Sequence, residues 1–145
     1  QNLYLLKSLN QLKANNNISS TVVLHRSRSG LNEIQSFLEG NGYDTQILLD
    51  SGEIDFERES IKICTLSSVK GLEFDNVFII DLNDDILPYP PGFNGEDDEL
   101  HISTERRLLY TSMTRARERL YLLSSGEPSR YLTEIDENLL VKADN

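Results

Sequence analysis

Short apolar runs that alternate with segments of helical spacing are the feature of this sequence that most limits its fold. The runs contain few polar positions, which is typical of strands covered on both faces of a sheet. Strands separated by helices or long loops favour parallel pairing. We therefore predict an α/β fold whose mainly parallel sheet is covered by helices. The predicted strands are residues 21–25, 46–49, 61–64, 77–80 and 120–123.

Helical spacing and chain breakers place the remaining elements. Leucines recur every third residue from Leu3 to Leu12 and stop before three asparagines, which predicts a helix and its end. The polar segments 51–60 and 84–100 are predicted loops. Further helices are predicted over residues 31–39 and 104–117, with a short helix and a tail over residues 126–145.

Charge is unevenly distributed along the 145 residues, which have the size of one domain, 1–145. The formal net charge is −10, and a uniformly acidic surface would repel nucleic acid. Residues 81–105 contain eight acids and no Lys or Arg, whereas residues 106–119 contain five arginines. The composition therefore argues against a free-standing nucleic-acid binder and leaves room for a local anion site.

The cysteine count and the hydropathy limit the disulfide bonds and the membrane contacts that the chain can have. The single cysteine, Cys64, excludes an internal disulfide and is interpreted as a core thiol because it lies in an apolar run. No apolar stretch approaches the length of a membrane span, so we expect no membrane partner and a cytoplasmic location. Because the sequence begins with Gln1 and not Met, we expect the chain to be part of a longer protein.

Three polar segments carry the candidate chemistry: residues 25–28, 65–73 and 107–117. Ligands of parallel α/β sheets bind at the carboxyl ends of strands, and we expect all three segments to face that one edge. Lys70 and the arginines supply cations, and Gly71 lets the backbone approach a ligand closely. A guanidinium group keeps its charge and binds phosphate oxygens through a planar fork. The segments therefore predict a site for phosphate groups.

Each candidate also has an ordinary interpretation. Arg26 alone is more often a solvated residue at a strand end. Arg115 would belong to an exposed helix, paired with Glu105 or Glu118. The ordinary positions of the other two candidates are the protein surface for Glu73 and the core or a strand end for His25.

The sequence lacks the elements that would hold a nucleotide without a partner domain. No Gly is followed by Lys-Ser or Lys-Thr, so there is no phosphate-binding P-loop. Residues 77–81 imitate a strand that ends in a magnesium-binding Asp, but without a P-loop Asp81 is interpreted as a loop acid. The domain should therefore supply residues, across an interface, to a nucleotide held elsewhere.

Two long segments and one short segment resemble the motifs of a known family. Residues 61–80, IKICTLSSVKGLEFDNVFII, are similar to motif V of UvrD/Rep-type superfamily 1 helicases, which reads T-L-H-x-A-K-G-L-E-F before an apolar strand. Residues 105–121, ERRLLYTSMTRARERLY, resemble motif VI, E-R-R-L-x-Y-V-x-x-T-R-A. The short sequence LHRS at residues 24–27 resembles motif IV. The chain thus resembles the second RecA-like domain, 2A, of such a DNA helicase.

The resemblance implies a role for each matching residue. Arg115 would be the arginine finger that reaches the γ-phosphate of ATP, and Arg26 a second phosphate contact. Glu73 would bind the nucleotide ribose, with Gly71 and Lys70 beside it. The implied base-stacking residue is His25, and the implied contacts to single-stranded DNA are Thr65, Ser67 and Ser68.

The resemblance also implies partners and shows departures from the family pattern. ATP and Mg²⁺ would be held mainly by an upstream RecA-like domain, so this chain alone should hydrolyse essentially no ATP. Ser67 replaces the usual motif V histidine, and His25 replaces the usual motif IV tyrosine. Residues 27–64 are too few for the large 2B insertion of many members. Two alternative functions are an ATPase module that remodels a protein complex such as RNA polymerase, and a non-catalytic architectural domain.

Overall fold

The computed structural model describes residues 1–48, 58–69, 71–90 and 99–142, and within them it confirms the predicted α/β class. The helices are α1 (Asn2–Ala14), α2 (Arg28–Gly40) and α3 (Glu99–Met113). The strands are β1 (Thr21–His25), β2 (Thr45–Ile47), β3 (Ile61–Thr65), β4 (Phe74–Ile79) and β5 (Ala116–Leu122). Two short 3₁₀ helices follow, Arg130–Glu134 and Glu137–Leu139.

The described strands form one sheet in the order β2-β3-β1-β4-β5, and every pair in it is parallel. The chain moves from β1 to one side of the sheet for β2 and β3, then crosses to the other side for β4 and β5. Such a reversal brings loops that follow neighbouring strands together at the carboxyl edge. The prediction of a parallel sheet is therefore confirmed.

Successive side chains of the central strands enter two separate apolar clusters, one on each face of the sheet. Val23, Ile63 and Phe78 pack with leucines of α1 and α2. Their neighbours Val22 and Cys64 pack on the opposite face, where α3 contributes Leu109. Because both faces are covered, these strands are apolar without alternation, as the sequence predicted. Cys64 is a buried free thiol.

Lys62, a charged residue of a central strand, lies among these buried side chains and has three hydrogen-bond acceptors. Lys62 of β3 is completely buried. Its Nζ donates to the carbonyl oxygens of Ser19 at 2.7 Å, Ser60 at 3.0 Å and Arg58 at 3.2 Å. Three acceptors compensate the ammonium group for its loss of water. Lys62 thus ties β3 to the turn that precedes β1.

Several predicted boundaries are wrong, and polar residues in strands explain the largest error. The helix predicted over residues 104–117 is α3, which ends at Met113, and Arg117 lies in β5. β5 is an edge strand with exposed side chains at its centre, so it lacks the apolar run by which buried strands are recognised. β4 likewise begins at Phe74, three residues before the predicted start. The polar residues Asp75 and Asn76 interrupt its apolar run, so the sequence did not indicate a strand there.

The remaining predictions are corrected in smaller ways or fall outside the described residues. α2 begins at Arg28, β2 covers Thr45–Ile47, and β5 begins four residues before its predicted start. The short helix predicted within residues 126–145 corresponds to two 3₁₀ helices, and the first is anchored because Tyr131 is fully buried and its hydroxyl donates to the carbonyl of Ile102 at 2.7 Å. Residues 49–57 and 91–98, which fall in the predicted loops or at their margins, lie outside the described residues.

Candidate functional site

The carboxyl ends of β1 and β3 hold one group of the predicted site residues. The two strands pair in parallel with His25 opposite Thr65, so the residues that follow them leave the sheet at the same level. A cavity of about 280 Å³ lies there, and we call it the carboxyl-edge cavity. It is lined by Arg26, Ser27, Arg28, Thr65, Ser67, Ser68 and Tyr89.

Three hydroxyl groups in this cavity form a cluster at the end of β3. The Thr65 hydroxyl lies 2.9 Å from that of Ser68 and 3.3 Å from that of Ser67. The main-chain N–H of Ser68 also donates to the Thr65 hydroxyl, at 3.3 Å. Thr65 is buried, whereas Ser67 is exposed. Thr65 therefore organises the turn, and Ser67 presents its hydroxyl to solvent.

Arg26 is held on two sides within the carboxyl-edge cavity. Its Nε and Nη2 donate to the two carboxylate oxygens of Glu105, at 2.9 and 3.1 Å. The centre of its guanidinium group lies 4.7 Å from the centroid of the Tyr89 ring, the range of a cation–π contact. The ordinary interpretation of Arg26 as a solvated residue is therefore wrong, and Glu105 pairs with Arg26 instead of Arg115.

The second group of predicted residues lies at the beginnings of β4 and β5. A cavity of about 430 Å³, which we call the amino-edge cavity, is lined by Gly71, Leu72, Glu73, Arg115 and Arg117. Gly71 has a φ of +78°, a left-handed conformation that glycine adopts without steric cost. Apart from its two chain neighbours, no described residue has an atom within 4 Å of the position that a Cβ would occupy there. The backbone at Gly71 is therefore open to an approaching group.

Arg115 differs from its neighbours in having no acidic partner among the described residues. Its Nη2 donates to the hydroxyl of Thr114 at 3.1 Å, and its Nε is buried without a partner in the described part of the chain. Arg117, in contrast, pairs with Asp75 at 3.0 Å. An unpaired buried donor costs free energy until an acceptor reaches the group. The Arg115 guanidinium is thus suited to receive an anion.

Glu73 is exposed and makes no side-chain hydrogen bond within the described residues. It lines the same cavity as Arg115 without forming an ion pair with it in that part of the structure. A carboxylate without a partner can accept hydrogen bonds from the hydroxyl groups of a ligand. The amino-edge cavity therefore combines a cation for an anionic group with an acceptor for hydroxyl groups.

The two cavities correct the expectation that all three segments face one edge of the sheet. Thr65, Ser67 and Ser68 follow β3, but Gly71 and Glu73 precede β4. Since β3 and β4 run in the same direction, the connection between them must cross the sheet from its carboxyl edge to its amino edge. Arg115, directly before β5, lies at the amino edge for the same reason.

His25 belongs to neither cavity. It is 4% exposed, and its Nδ1 accepts a hydrogen bond from the main-chain N–H of Ser27 at 2.9 Å. Its Nε2 must therefore carry the proton that it donates to Asp81, also at 2.9 Å. A Cβ at Gly30 would collide with the imidazole ring. This geometry fits the interpretation of His25 as a buried strand-end imidazole and does not favour stacking on a nucleobase.

Asp81, directly after β4 and Ile80, is occupied by contacts within the chain. Besides His25, the side chains of Gln1 and Ser125 donate to its carboxylate, at 2.6 and 2.8 Å. The hydrogen bond from His25 is the largest cause that lowers the pKa of Asp81, to about 2. No group of acids, histidines or cysteines suited to a metal ion occurs among the described residues. Asp81 thus acts as a loop acid that joins β1 to the end of β4.

Lys70 lies outside the described residues. A cavity of about 720 Å³ lies between α1, α2 and the end of β4, and none of the predicted site residues lines it. None of the helices described has the length and hydropathy needed to cross a membrane.

Sequence reasoning missed the residues that organise these cavities. The sequence pattern pairs Glu105 with Arg115 and gives no role to Tyr89, although both contact Arg26. Arg117 was assigned to a helix, but it lines the amino-edge cavity from β5. No local pattern links Arg26 to Glu105, which are 79 positions apart.

These features define a class of protein: a parallel α/β domain without a P-loop, with arginines at both edges of its sheet and a cluster of hydroxyl groups at the carboxyl edge. A model of the UvrD-like helicase C-terminal domain matches residues 44–127, more than half of the chain. The chain belongs to this family, which confirms the resemblance found in the sequence.

Relatives and solved structures agree with this assignment. The chain is 36% identical over 108 residues to the ATP-dependent DNA helicase PcrA of Staphylococcus aureus, and 35% identical to that of Staphylococcus epidermidis. Each match covers 67% of this chain and 14% of the relative, so the chain spans about a seventh of the relatives' length.

One solved structure shares the fold of nearly the whole chain. It is the C-terminal domain of a possible DNA helicase from Lactobacillus plantarum WCFS1. It superposes with a TM-score of 0.73 at 20% identity, over 95% of this chain and 74% of the other. The likeness shows that the chain has the fold of such a helicase C-terminal domain.

Proposed function

We propose that this chain is the C-terminal motor domain of an ATP-dependent DNA helicase, in which it assists ATP hydrolysis and grips single-stranded DNA. The observation that carries the proposal is the state of Arg115. Its guanidinium group has no acidic partner among the described residues. It shares the amino-edge cavity with the backbone of Gly71 and with the carboxylate of Glu73, which makes no hydrogen bond within the same part of the chain. Relatives that carry this domain are named ATP-dependent DNA helicases.

The amino-edge cavity supplies the contacts to the nucleotide in this proposal. Arg115 neutralises negative charge that develops on the γ-phosphate, and Glu73 accepts hydrogen bonds from ribose hydroxyl groups. Gly71 lets the main chain lie close to the nucleotide. Lys70 stays a prediction as a further cation beside them. Bound Mg-ATP supplies the phosphoanhydride bond whose hydrolysis provides the free energy.

An upstream RecA-like domain would hold most of the nucleotide. The described residues offer no group of acids for Mg²⁺, and the sequence has no P-loop. The residues at the amino edge therefore fit a supporting half of a shared site and not a complete one. Closure of the two domains on each other would bring Arg115 to the phosphates, and opening would withdraw it.

The carboxyl-edge cavity supplies the contacts to the DNA strand. The exposed hydroxyl of Ser67 and the partly exposed hydroxyl of Ser68 can donate to phosphodiester oxygens. Thr65 keeps both in place through its own hydrogen bonds. Because the nucleotide and the strand would occupy separate cavities, each closure of the domains could be linked to movement along the strand. A cytoplasmic location fits a protein that acts on DNA.

Arg26 is proposed as a contact to a phosphate group at the carboxyl edge. The resemblance assigns it to the γ-phosphate of ATP, and its place beside Ser67 also suits a phosphodiester group of the strand. Both assignments use the same contact between a guanidinium group and a phosphate group. They are distinguished by the activity that an Arg26→Ala variant loses. Loss of turnover at saturating DNA indicates the γ-phosphate, and an increased DNA requirement indicates the strand.

ATP hydrolysis by the full-length protein, measured with and without single-stranded DNA, tests the proposal. We expect DNA to stimulate turnover strongly, because strand contact and nucleotide contact belong to one closed state. Turnover that is indifferent to DNA would contradict the helicase assignment and favour an ATPase that remodels a protein complex. Absence of ATPase activity in the full-length protein would instead favour an architectural domain.

A further inference from the structure

Glu105 is an almost completely buried acid whose carboxylate binds two residues of the carboxyl-edge cavity, Arg26 and Tyr89. It is 3% exposed and projects from α3. It accepts two hydrogen bonds from Arg26 and a third, at 2.5 Å, from the main-chain N–H of Tyr89. A buried carboxylate requires such donors, since it has lost its water. Glu105 therefore fixes the positions of Arg26 and Tyr89, which both donate to its carboxylate.

The geometry of the pair leaves one edge of the Arg26 guanidinium open. Glu105 occupies the edge formed by Nε and Nη2, and the Tyr89 ring covers one face. Nη1 makes no hydrogen bond to any described residue, and the Arg26 side chain is 24% exposed. A planar fork held at one edge presents its other edge in a fixed direction. Because Arg26 lines the carboxyl-edge cavity, its open edge is suited to a phosphate group that enters there.

We propose that Glu105 is a positioning residue, which holds Arg26 in the orientation that contacts phosphate during the ATPase cycle. The inference rests on the proposed function of Arg26 as a phosphate contact. Glu105 does not touch the phosphate group itself, because both of its oxygens are used within the domain. Its removal should release Arg26 into several rotamers. It should therefore impair the same step that removal of Arg26 impairs.

The test is a double-mutant cycle in the full-length protein with Arg26→Ala, Glu105→Ala and the two together. ATP turnover at saturating DNA and the DNA concentration for half-maximal stimulation are measured for each. We expect Glu105→Ala to change whichever quantity Arg26→Ala changes, by about 10-fold to 10²-fold, the effect of a misplaced catalytic contact. The double variant should be no worse than Arg26→Ala, because Glu105 acts through Arg26.

A second Arg–Glu pair, between α3 and the 3₁₀ helix Arg130–Glu134, provides the matched control. Arg106 of α3 pairs with Glu134 at 2.8 Å, at the exposed surface and outside both cavities. Arg106→Ala should leave both quantities near those of the wild type. Glu105→Gln keeps the shape and one acceptor oxygen, so it should give an intermediate loss. If Glu105→Ala does not fold, the Glu105→Gln variant tests whether Glu105 positions Arg26.

Each remaining outcome is informative. Wild-type behaviour of Glu105→Ala and Glu105→Gln beside an impaired Arg26→Ala would overturn the inference and leave the role of Arg26 intact. A double variant worse than Arg26→Ala by the full effect of Glu105→Ala would also overturn it, because Glu105 would then act independently. Wild-type behaviour of Arg26→Ala would remove the proposed phosphate contact and the inference together, while Arg115 would still be tested by its own variant.

Discussion

The main-chain N–H of Phe74 donates a hydrogen bond of 2.9 Å to the carbonyl oxygen of Arg115. This bond joins the first residue of β4 to the residue that directly precedes β5. It continues the parallel pairing of the two strands, in which Phe74 lies opposite Ala116. Glu73 and Arg115 thus take their positions from the rigid end of the sheet and not from a free loop.

Substitution of Arg115 tests the proposed arginine finger. In the full-length protein, Arg115→Ala should lower DNA-stimulated ATP turnover by about 10³ to 10⁵, the range for such residues, with a smaller effect on ATP binding. The control is Arg106→Ala, which removes an arginine of α3 whose partner is Glu134. Near-normal turnover of Arg115→Ala would remove Arg115 from this role.

Substitution of Glu73 tests the proposed contact to the ribose. Glu73→Ala should raise KM for ATP about 10-fold and leave kcat nearly unchanged, because a hydrogen bond made equally in ground and transition states is lost. Steady-state kinetics with ATP and its deoxyribose analogues give the comparison. The wild type should discriminate against the analogues more than the variant does. Glu118→Ala, at an exposed position, is the control. The assignment would be contradicted if Glu73→Ala discriminated against the analogues as the wild type does, or if its KM for ATP equalled that of the control.

Substitution of Ser67 tests the strand contact at the carboxyl edge. Ser67→Ala should raise the DNA concentration for half-maximal stimulation by about 3-fold to 10-fold, the effect of one hydrogen bond. ATP turnover without DNA should not change, because Ser67 does not line the amino-edge cavity. Ser124→Ala, outside both cavities, serves as the control. An unchanged DNA requirement would count against Ser67 as a contact.

Substitution of Asp81 tests whether its hydrogen bond with His25, which joins β1 to the end of β4, contributes a pH-dependent part of the folding stability. The pKa of Asp81 is lowered to about 2, from a value of 3.8. A lowered pKa stabilises the folded state above the unfolded pKa, and this contribution is lost as pH falls from 3.8 towards 2. Asp81→Asn should therefore lower the free energy of unfolding by about 1–2 kcal/mol at pH 7.

Urea unfolding of the wild-type chain and the variant at several pH values measures this effect. The difference between them should shrink as pH falls through that interval, since protonation of Asp81 gives the wild type a neutral side chain too. Asp85→Asn, at an exposed position, should show no such difference. A difference that stays constant down to pH 2 would show that the charge of Asp81 does not contribute.

The central strands and the family could be predicted from sequence because their signals are local. Residues 21–25 and 61–64 are apolar without alternation since both faces are covered, and the structure has strands there. β5 gave a weaker signal, because an edge strand exposes Arg117 and its neighbours and so resembles a helix of alternating charges. The motif segments were recognised whatever their secondary structure.

The arrangement of the site could be predicted only in part because it depends on contacts between distant residues. The segment 65–73 follows β3 in sequence, but it crosses the sheet, so its two ends belong to different cavities. The pairing of Arg26 with Glu105 spans 79 positions, and a buried acid cannot be told from a surface acid by its neighbours in sequence. Burial of His25 likewise depends on the tertiary packing of Gly30 against its ring.

In the proposed function, helix α3 would connect the residues that contact the strand to those that contact the nucleotide. Glu105 holds the carboxyl-edge arginine, and the helix ends at Met113, two residues before Arg115. At a rise of about 1.5 Å per residue, Glu105 and Met113 are about 12 Å apart along the helix axis. A load applied by DNA to Arg26 would therefore travel through one continuous, hydrogen-bonded rod, with no hinge before its far end. Force on the strand and timing of hydrolysis would then be set by a single displacement.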